Sequence, residues 1–162
     1  MPHILYFIRH GIAADRSLYA QDSDRPLSEA GNQKTENIAQ RLVSLGVTVD
    51  RILTSPLLRA RQTAEILKAA GMSDRLEVLP FLSPGGRIQD ALVWLEHCPA
   101  QSLALVGHEP DLGEWVESLV WGEPKQSLVV KKASIMGIQL PDGGDPIGQS
   151  QLFWLAPPRF LL

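Results

Sequence analysis

Two histidines and two arginines carry the chemistry open to this sequence, and each follows an apolar run. Arg9-His10-Gly11 follows Ile4-Leu5-Tyr6-Phe7-Ile8. Ser55-Pro56 closes a second run, with Arg59 one helical turn later, and Gly107-His108-Glu109-Pro110 closes a third, Ser102 to Val106. A guanidinium offers a planar fork of donors matched to phosphate oxygens. A neutral imidazole nitrogen attacks phosphorus without first deprotonating a hydroxyl, so His10 is a candidate nucleophile. Arg9, Arg59 and a protonated His108 would stabilise the charge on a transferring phosphoryl group, and Gly11 would let the backbone approach the ligand closely.

These residues need elements that bring them together. The run Ile4 to Ile8 mixes β-branched and aromatic side chains and reads as a strand buried on both faces, as in a parallel sheet. From Ser28 to Leu45 the apolar positions follow helical spacing, and Gly46 supplies a stop. Asp50 to Thr54 predicts a second strand, with Ser55 as N-cap and Pro56 as first residue of a helix running to about Ala70. Leu76 to Leu79 predicts a short strand, and Ile88, Ala91, Leu92 and Leu95 form one buried face of a third helix. After the strand Ser102 to Val106, a fourth helix carries Leu112, Trp115, Val116, Leu119 and Val120 on one side and ends at Gly122. Ser134 to Leu140 and Gln149 to Leu155 predict two strands around a Pro/Gly/Asp-rich loop, as an antiparallel pair or as edge strands. The alternation predicts a single domain over residues 1–162, a three-layer α/β/α sandwich with a mostly parallel mixed sheet. If the polar-ended strands are parallel neighbours, their ends share the carboxyl edge, where open α/β sheets bind ligands.

Composition narrows the function. With 162 residues, 44% hydrophobic and 20% charged, the chain reads as an ordinary globular protein. A net charge of -3 argues against a nucleic-acid partner. One cysteine, Cys98, excludes an intramolecular disulfide and reads as a small buried hydrophobe near a helix end. The first apolar run is too short for a signal peptide, and no segment approaches the roughly 20 apolar residues of a membrane span, so a cytoplasmic protein with no membrane partner is expected. Metal binding is disfavoured, because no second ligand follows either histidine at helical spacing and the arginines would repel a cation. His3 and His97 lack a comparable context and read as structural, and Trp94, Trp115, Trp121 and Trp154 read mostly as core.

Taken together, Arg9-His10-Gly11, the stretch Ser55-Pro56-Leu57-Leu58-Arg59-Ala60-Arg61-Gln62-Thr63-Ala64 and Gly107-His108-Glu109-Pro110 resemble the histidine phosphatase superfamily, with its phosphoglycerate mutase-like fold. Pro26-Leu27 and Gly31 match that family's entry into its first helix. The short segment between Leu79 and Arg87 leaves no room for a helical insert, which makes the chain similar to the small phosphohistidine phosphatases of the SixA type. The resemblance implies that His10 becomes phosphohistidine, that Arg9, Arg59 and His108 form the phosphate pocket, and that neither a metal nor an organic cofactor takes part. It further implies a phosphorylated partner protein, a histidine phosphotransfer domain, with inorganic phosphate as product.

One departure bears on the substrate. Many members carry an acidic proton donor after the third strand, where this chain reads Pro80-Phe81-Leu82-Ser83-Pro84. Glu109, Asp111 and Asp15 are substitutes by type, with Glu109 the candidate proton donor. An imidazole leaving group needs less help from a general acid than an alkoxide, so the missing acid favours phosphohistidine over an alkyl phosphate. The alternatives are a small-molecule phosphomonoesterase and a phosphate-binding adaptor without turnover.

Overall fold

The computed structural model describes residues 1–162. Its centre is a six-stranded sheet of β1 (Ile4–Arg9), β2 (Arg51–Thr54), β3 (Leu76–Val78), β4 (Ser102–Gly107), β5 (Ile135–Gln139) and β6 (Gln151–Ala156), in the order β3-β2-β4-β1-β5-β6. The first four run parallel, while β5 and β6 run antiparallel beside β1, so the sheet is mixed as predicted. Four helices cover it: α1 (Glu29–Ser44), α2 (Leu58–Ala69), α3 (Ile88–Glu96) and α4 (Asp111–Trp121).

The period of two along each strand sorts side chains between two cores. Leu5, Phe7, Leu53, Leu103 and Leu105 pack with Ala91 and Leu95 of α3 and with Leu112, Val116 and Leu119 of α4. Ile8, Ile52, Ala104 and Val106 pack on the other face with Ile38, Ala39 and Leu42 of α1 and Ala60, Ala64 and Leu67 of α2. Each fully buried Leu or Phe contributes about 1.5–3 kcal/mol relative to exposure, so truncating one inside this double core destabilises the whole sandwich. Cys98 is buried just past α3, as predicted, but Trp121 is 47% exposed at the end of α4 rather than in the core.

Register places the chemistry. Arg9 pairs with Gly107 and Thr54 with Val106, so β1, β2 and β4 end abreast at one edge. Ser28 caps α1 by accepting the Gly31 N–H at 2.9 Å. The predicted Ser55 cap on α2 is not formed: the helix begins at Leu58, with Leu57 as cap and no side-chain cap bond. Ser55 is buried in the turn before it and points its hydroxyl at His108.

Candidate active site

His10 stands immediately after β1, where its N–H donates to the Gly107 carbonyl and its own carbonyl accepts from Ala133 N–H, both at 3.1 Å. Its Nδ1 lies 2.7 Å from the Gly11 carbonyl. A carbonyl only accepts, so Nδ1 carries the hydrogen and Nε2 is left unprotonated, its lone pair an acceptor. Burial pushes the His10 pKa down to about 3, beyond what the Gly11 hydrogen bond restores, and His108, Arg59 and Arg9 lower it further. The ring is therefore neutral near pH 7, the form a nucleophile needs.

The loop that carries His10 is pinned to two helices. Gly11 N–H donates to Thr63 Oγ1 of α2 at 3.0 Å, and Thr63 in turn donates to the Arg59 carbonyl at 2.8 Å. A Cβ on Gly11 would stand 2.3 Å from Thr35 Oγ1 of α1. The glycine is thus required by packing against α1, a different reason from the close ligand approach expected above.

Arg59, 5% exposed in the first turn of α2, donates from Nε to His10 Nε2 at 3.3 Å. Its two terminal nitrogens reach Asp22: one donates to the main-chain carbonyl at 2.9 Å, the other to the carboxylate at 3.0 Å. The same carboxylate is held by Arg25, at 3.2 Å from Nε and 3.0 Å from a terminal nitrogen.

His108 closes the opposite side, its ring centroid 5.1 Å from that of His10. Ser55 Oγ lies 2.8 Å from His108 Nε2 and also accepts the Leu57 N–H at 3.2 Å. The serine's own hydrogen has no acceptor other than Nε2, which leaves the imidazole hydrogen on Nδ1, a buried atom without a partner. Burial first, then Arg59, lowers the His108 pKa to about 4, against a smaller raising effect of Asp22. The imidazole is therefore neutral before a ligand arrives, a correction to the protonated state predicted from sequence. An incoming anion favours the charged form and so raises that pKa.

Arg9 donates to the Val130 carbonyl at 2.8 Å, and its Nε is buried without a partner. Val130 belongs to the segment entering β5, which is itself anchored by Glu117. That α4 carboxylate, 2% exposed, accepts Lys125 N–H, Ser127 N–H and the Ser127 hydroxyl at 3.0, 3.0 and 2.9 Å. Lys132, two residues past Val130, is pushed below the usual lysine range by burial and by the charges of Arg9, Arg25 and Arg59. Four cations thus face two carboxylates, Asp22 and Glu109, and the surplus is positive although the chain carries -3 overall. Unpartnered donors on Arg9 and His108 within that field fit a tetrahedral oxyanion, and the same cations oppose a metal ion.

The three carboxylates left open by sequence now separate. Asp15 is exposed and held below the usual range by bonds from Ser17. Asp111 accepts the Gly85 N–H at 2.8 Å and is tied to the loop before α3. Glu109 is half-buried, accepts the Gly113 N–H at 2.7 Å, feels the charge of Arg9 and is pushed up by burial. Sequence reasoning missed Asp22, Arg25, Lys132 and the contact of Ser55 with His108. Asp22 opens a single 3-10 turn, Asp22–Asp24, that Arg25 closes just before Pro26, and proximity to the matched motif was the one available signal.

The chain is similar to known proteins over most of its length. The family model described as histidine phosphatase superfamily (branch 1) matches residues 5–82. An uncharacterized protein of a Picosynechococcus strain is 49% identical over 164 residues, 98% of each chain. Phosphohistidine phosphatase SixA of Escherichia coli (strain K12) is 30% identical over 145 residues, covering 87% of this chain and 88% of the relative. The solved structure of the protein histidine phosphatase SixA complexed with tungstate superposes with a TM-score of 0.84 at 30% identity, over 98% of this chain and 99% of that one. With the neutral His10, its arginines and His108 at one sheet edge, and with relatives of this identity and coverage, the chain belongs to the histidine phosphatase superfamily.

Proposed function

We propose that this protein is a phosphatase that takes a phosphoryl group onto Nε2 of His10 and passes it to water, with phosphohistidine on a partner phosphotransfer protein as substrate. The coarser part, a phosphatase of this superfamily, follows from the family; the substrate rests on the site and on the likeness to SixA. The observation that carries the proposal is the tautomer of His10, whose Nδ1–H is committed to the Gly11 carbonyl and whose unprotonated Nε2 accepts from Arg59 Nε. The tungstate of the SixA structure is a tetrahedral oxyanion of the same class as phosphate, which supports the reading of this site as an oxyanion pocket.

In the first step Nε2 attacks phosphorus as the bond from phosphorus to the substrate nitrogen breaks, and that nitrogen leaves with the bonding pair and gains a proton. Arg9, Arg59 and the Nδ1–H of His108 stabilise the equatorial oxygens. In the second step water attacks the phosphohistidine, inorganic phosphate departs, and the lone pair returns to Nε2. The Gly11 carbonyl holds the ring throughout, so no proton transfer to or from His10 is needed. Glu109 is the proposed proton donor to the leaving group. Its elevated pKa favours a second reading, a small-molecule phosphomonoesterase, because an alkoxide needs that proton more than an imidazole does.

The test is His10→Ala, assayed on a phosphorylated histidine phosphotransfer domain and on an aryl phosphate. Loss of turnover on both, with a phosphoryl group trapped on wild-type His10 after acid-free quenching, is the expected result. Unchanged turnover overturns the mechanism, and a strong preference for a metabolite ester over the phosphoprotein selects the second reading.

A further inference from the structure

The arginine that faces His10 is already occupied by an anion. Asp22 takes one edge of the Arg59 fork through its carboxylate at 3.0 Å and its main-chain carbonyl at 2.9 Å, while Arg25 holds the other carboxylate oxygen at 3.0 Å. Burial alone would raise the Asp22 pKa, but the hydrogen bond and charge of Arg59, followed by Arg25, hold it below the usual carboxylate range. A negative charge is therefore fixed on the arginine that touches His10, and its effect reaches His108.

We propose that Asp22 is a specificity-determining residue of the phosphoryl pocket, a resident carboxylate that weakens the grip on inorganic phosphate so that the product leaves. The inference rests on the reading of this edge as a phosphoryl site. A guanidinium has five N–H donors, and three of those on Arg59 are committed to His10 and Asp22, which leaves two for a phosphoryl group. Free phosphate, carrying up to two charges near pH 7.5, is repelled by Asp22 more strongly than a transferring phosphoryl group whose charge is spread toward metaphosphate. The resident anion thus discriminates against the product more than against the transition state, which is the condition for raising turnover rather than binding.

Removing the charge separates this role from a purely structural one. Asp22→Asn keeps a side-chain acceptor for Arg59 and retains the main-chain carbonyl contact, so the arginine stays placed while the negative charge is lost. Inorganic phosphate is titrated into wild type, D22N, D22A and D22E by NMR, with Arg59→Ala identifying the signals of the pocket. D22N and D22A are expected to bind phosphate about tenfold more tightly, the size of a single partly screened charge interaction, and D22E to resemble wild type. On an aryl phosphate, KM and the inhibition constant for phosphate fall together in D22N while kcat does not rise. Unchanged or weaker phosphate binding in folded D22N and D22A, or no binding to any of the four proteins, overturns the inference. Tighter binding without hydrolysis of any substrate by wild type leaves the role of Asp22 standing and removes the phosphatase reading instead.

Discussion

Ser55 lies 2.8 Å from Nε2 of His108, and through that contact the end of β2 decides where the imidazole at the end of β4 carries its hydrogen. Ser55→Ala frees Nε2, so the ring can take up its hydrogen there and lose the Nδ1–H aimed at a phosphoryl oxygen. Loss of one such donor costs about 1–3 kcal/mol, which corresponds to a fall of about 5- to 150-fold in kcat/KM. Steady-state kinetics together with the nitrogen chemical shifts of His108 read the effect. Full activity with an unaltered tautomer would show that the serine is only a packing group.

Acid should unfold the protein through its two buried histidines. Their native pKa values are about 3 for His10 and about 4 for His108, both held down by burial, whereas the unfolded value is near 6.5. Below pH 6.5 the unfolded chain binds protons that the native chain does not, so stability is complete above that pH and declines as pH falls toward the native values. At pH 5 the loss is roughly 2 kcal/mol for each histidine. Urea midpoints at pH 7.5 and pH 5 measure it, and His108→Gln should flatten part of the slope.

Gly31, like Thr35, is a point at which α1 packs against the loop carrying His10. A Cβ there would stand 2.0 Å from the Ile12 carbonyl oxygen, a backbone atom whose partner is the Ser28 N–H at 2.9 Å. Gly31→Ala therefore shifts backbone rather than a side-chain tip, and about 2 kcal/mol or more of stability is lost. Thermal melts give the cost. A variant as stable as wild type would show that the loop yields freely.

Glu109→Gln discriminates leaving groups. General-acid assistance is worth at least about 100-fold where an alkoxide departs and far less where an imidazole departs. An alkyl phosphate should lose that factor, while phosphohistidine turnover changes little. Equal losses on both would assign the carboxylate a role in binding.

The sheet and its polar-ended strands were legible because each rests on a local pattern: an apolar run and the residue that ends it. Arg9, His10, Arg59 and His108 meet because β2, β4 and β1 are parallel neighbours; the alternation of strands and helices implied a parallel sheet, and the strand order supplied the condition that the sequence left open. The start of α2 was misplaced because serine before proline is the usual cap pair, and the preference yielded to a long-range partner, His108. The charge of His108 was misjudged because it depends on how deeply its ring is buried, and burial at 3% exposure has no signature at a strand end. Asp22 was invisible for a third reason. Its meeting with Arg59 joins a single 3-10 turn to a distant helix, and such pairs have neither period nor spacing.

The antiparallel setting of β5 beside β1 has a consequence for how such a protein can diverge. A parallel neighbour brings its carboxyl end to the site, but β5 brings its amino end, so the segment between α4 and β5 passes the pocket on its way in. That segment meets the site through the Val130 carbonyl on Arg9 and the Ala133 N–H on the His10 carbonyl, with Lys132 between them. Its far end is moored by Glu117 rather than by the strands. The chain can therefore lengthen or recharge this border without moving His10, Arg59 or His108, and the range of phosphorylated molecules admitted can drift while the reaction itself is inherited intact.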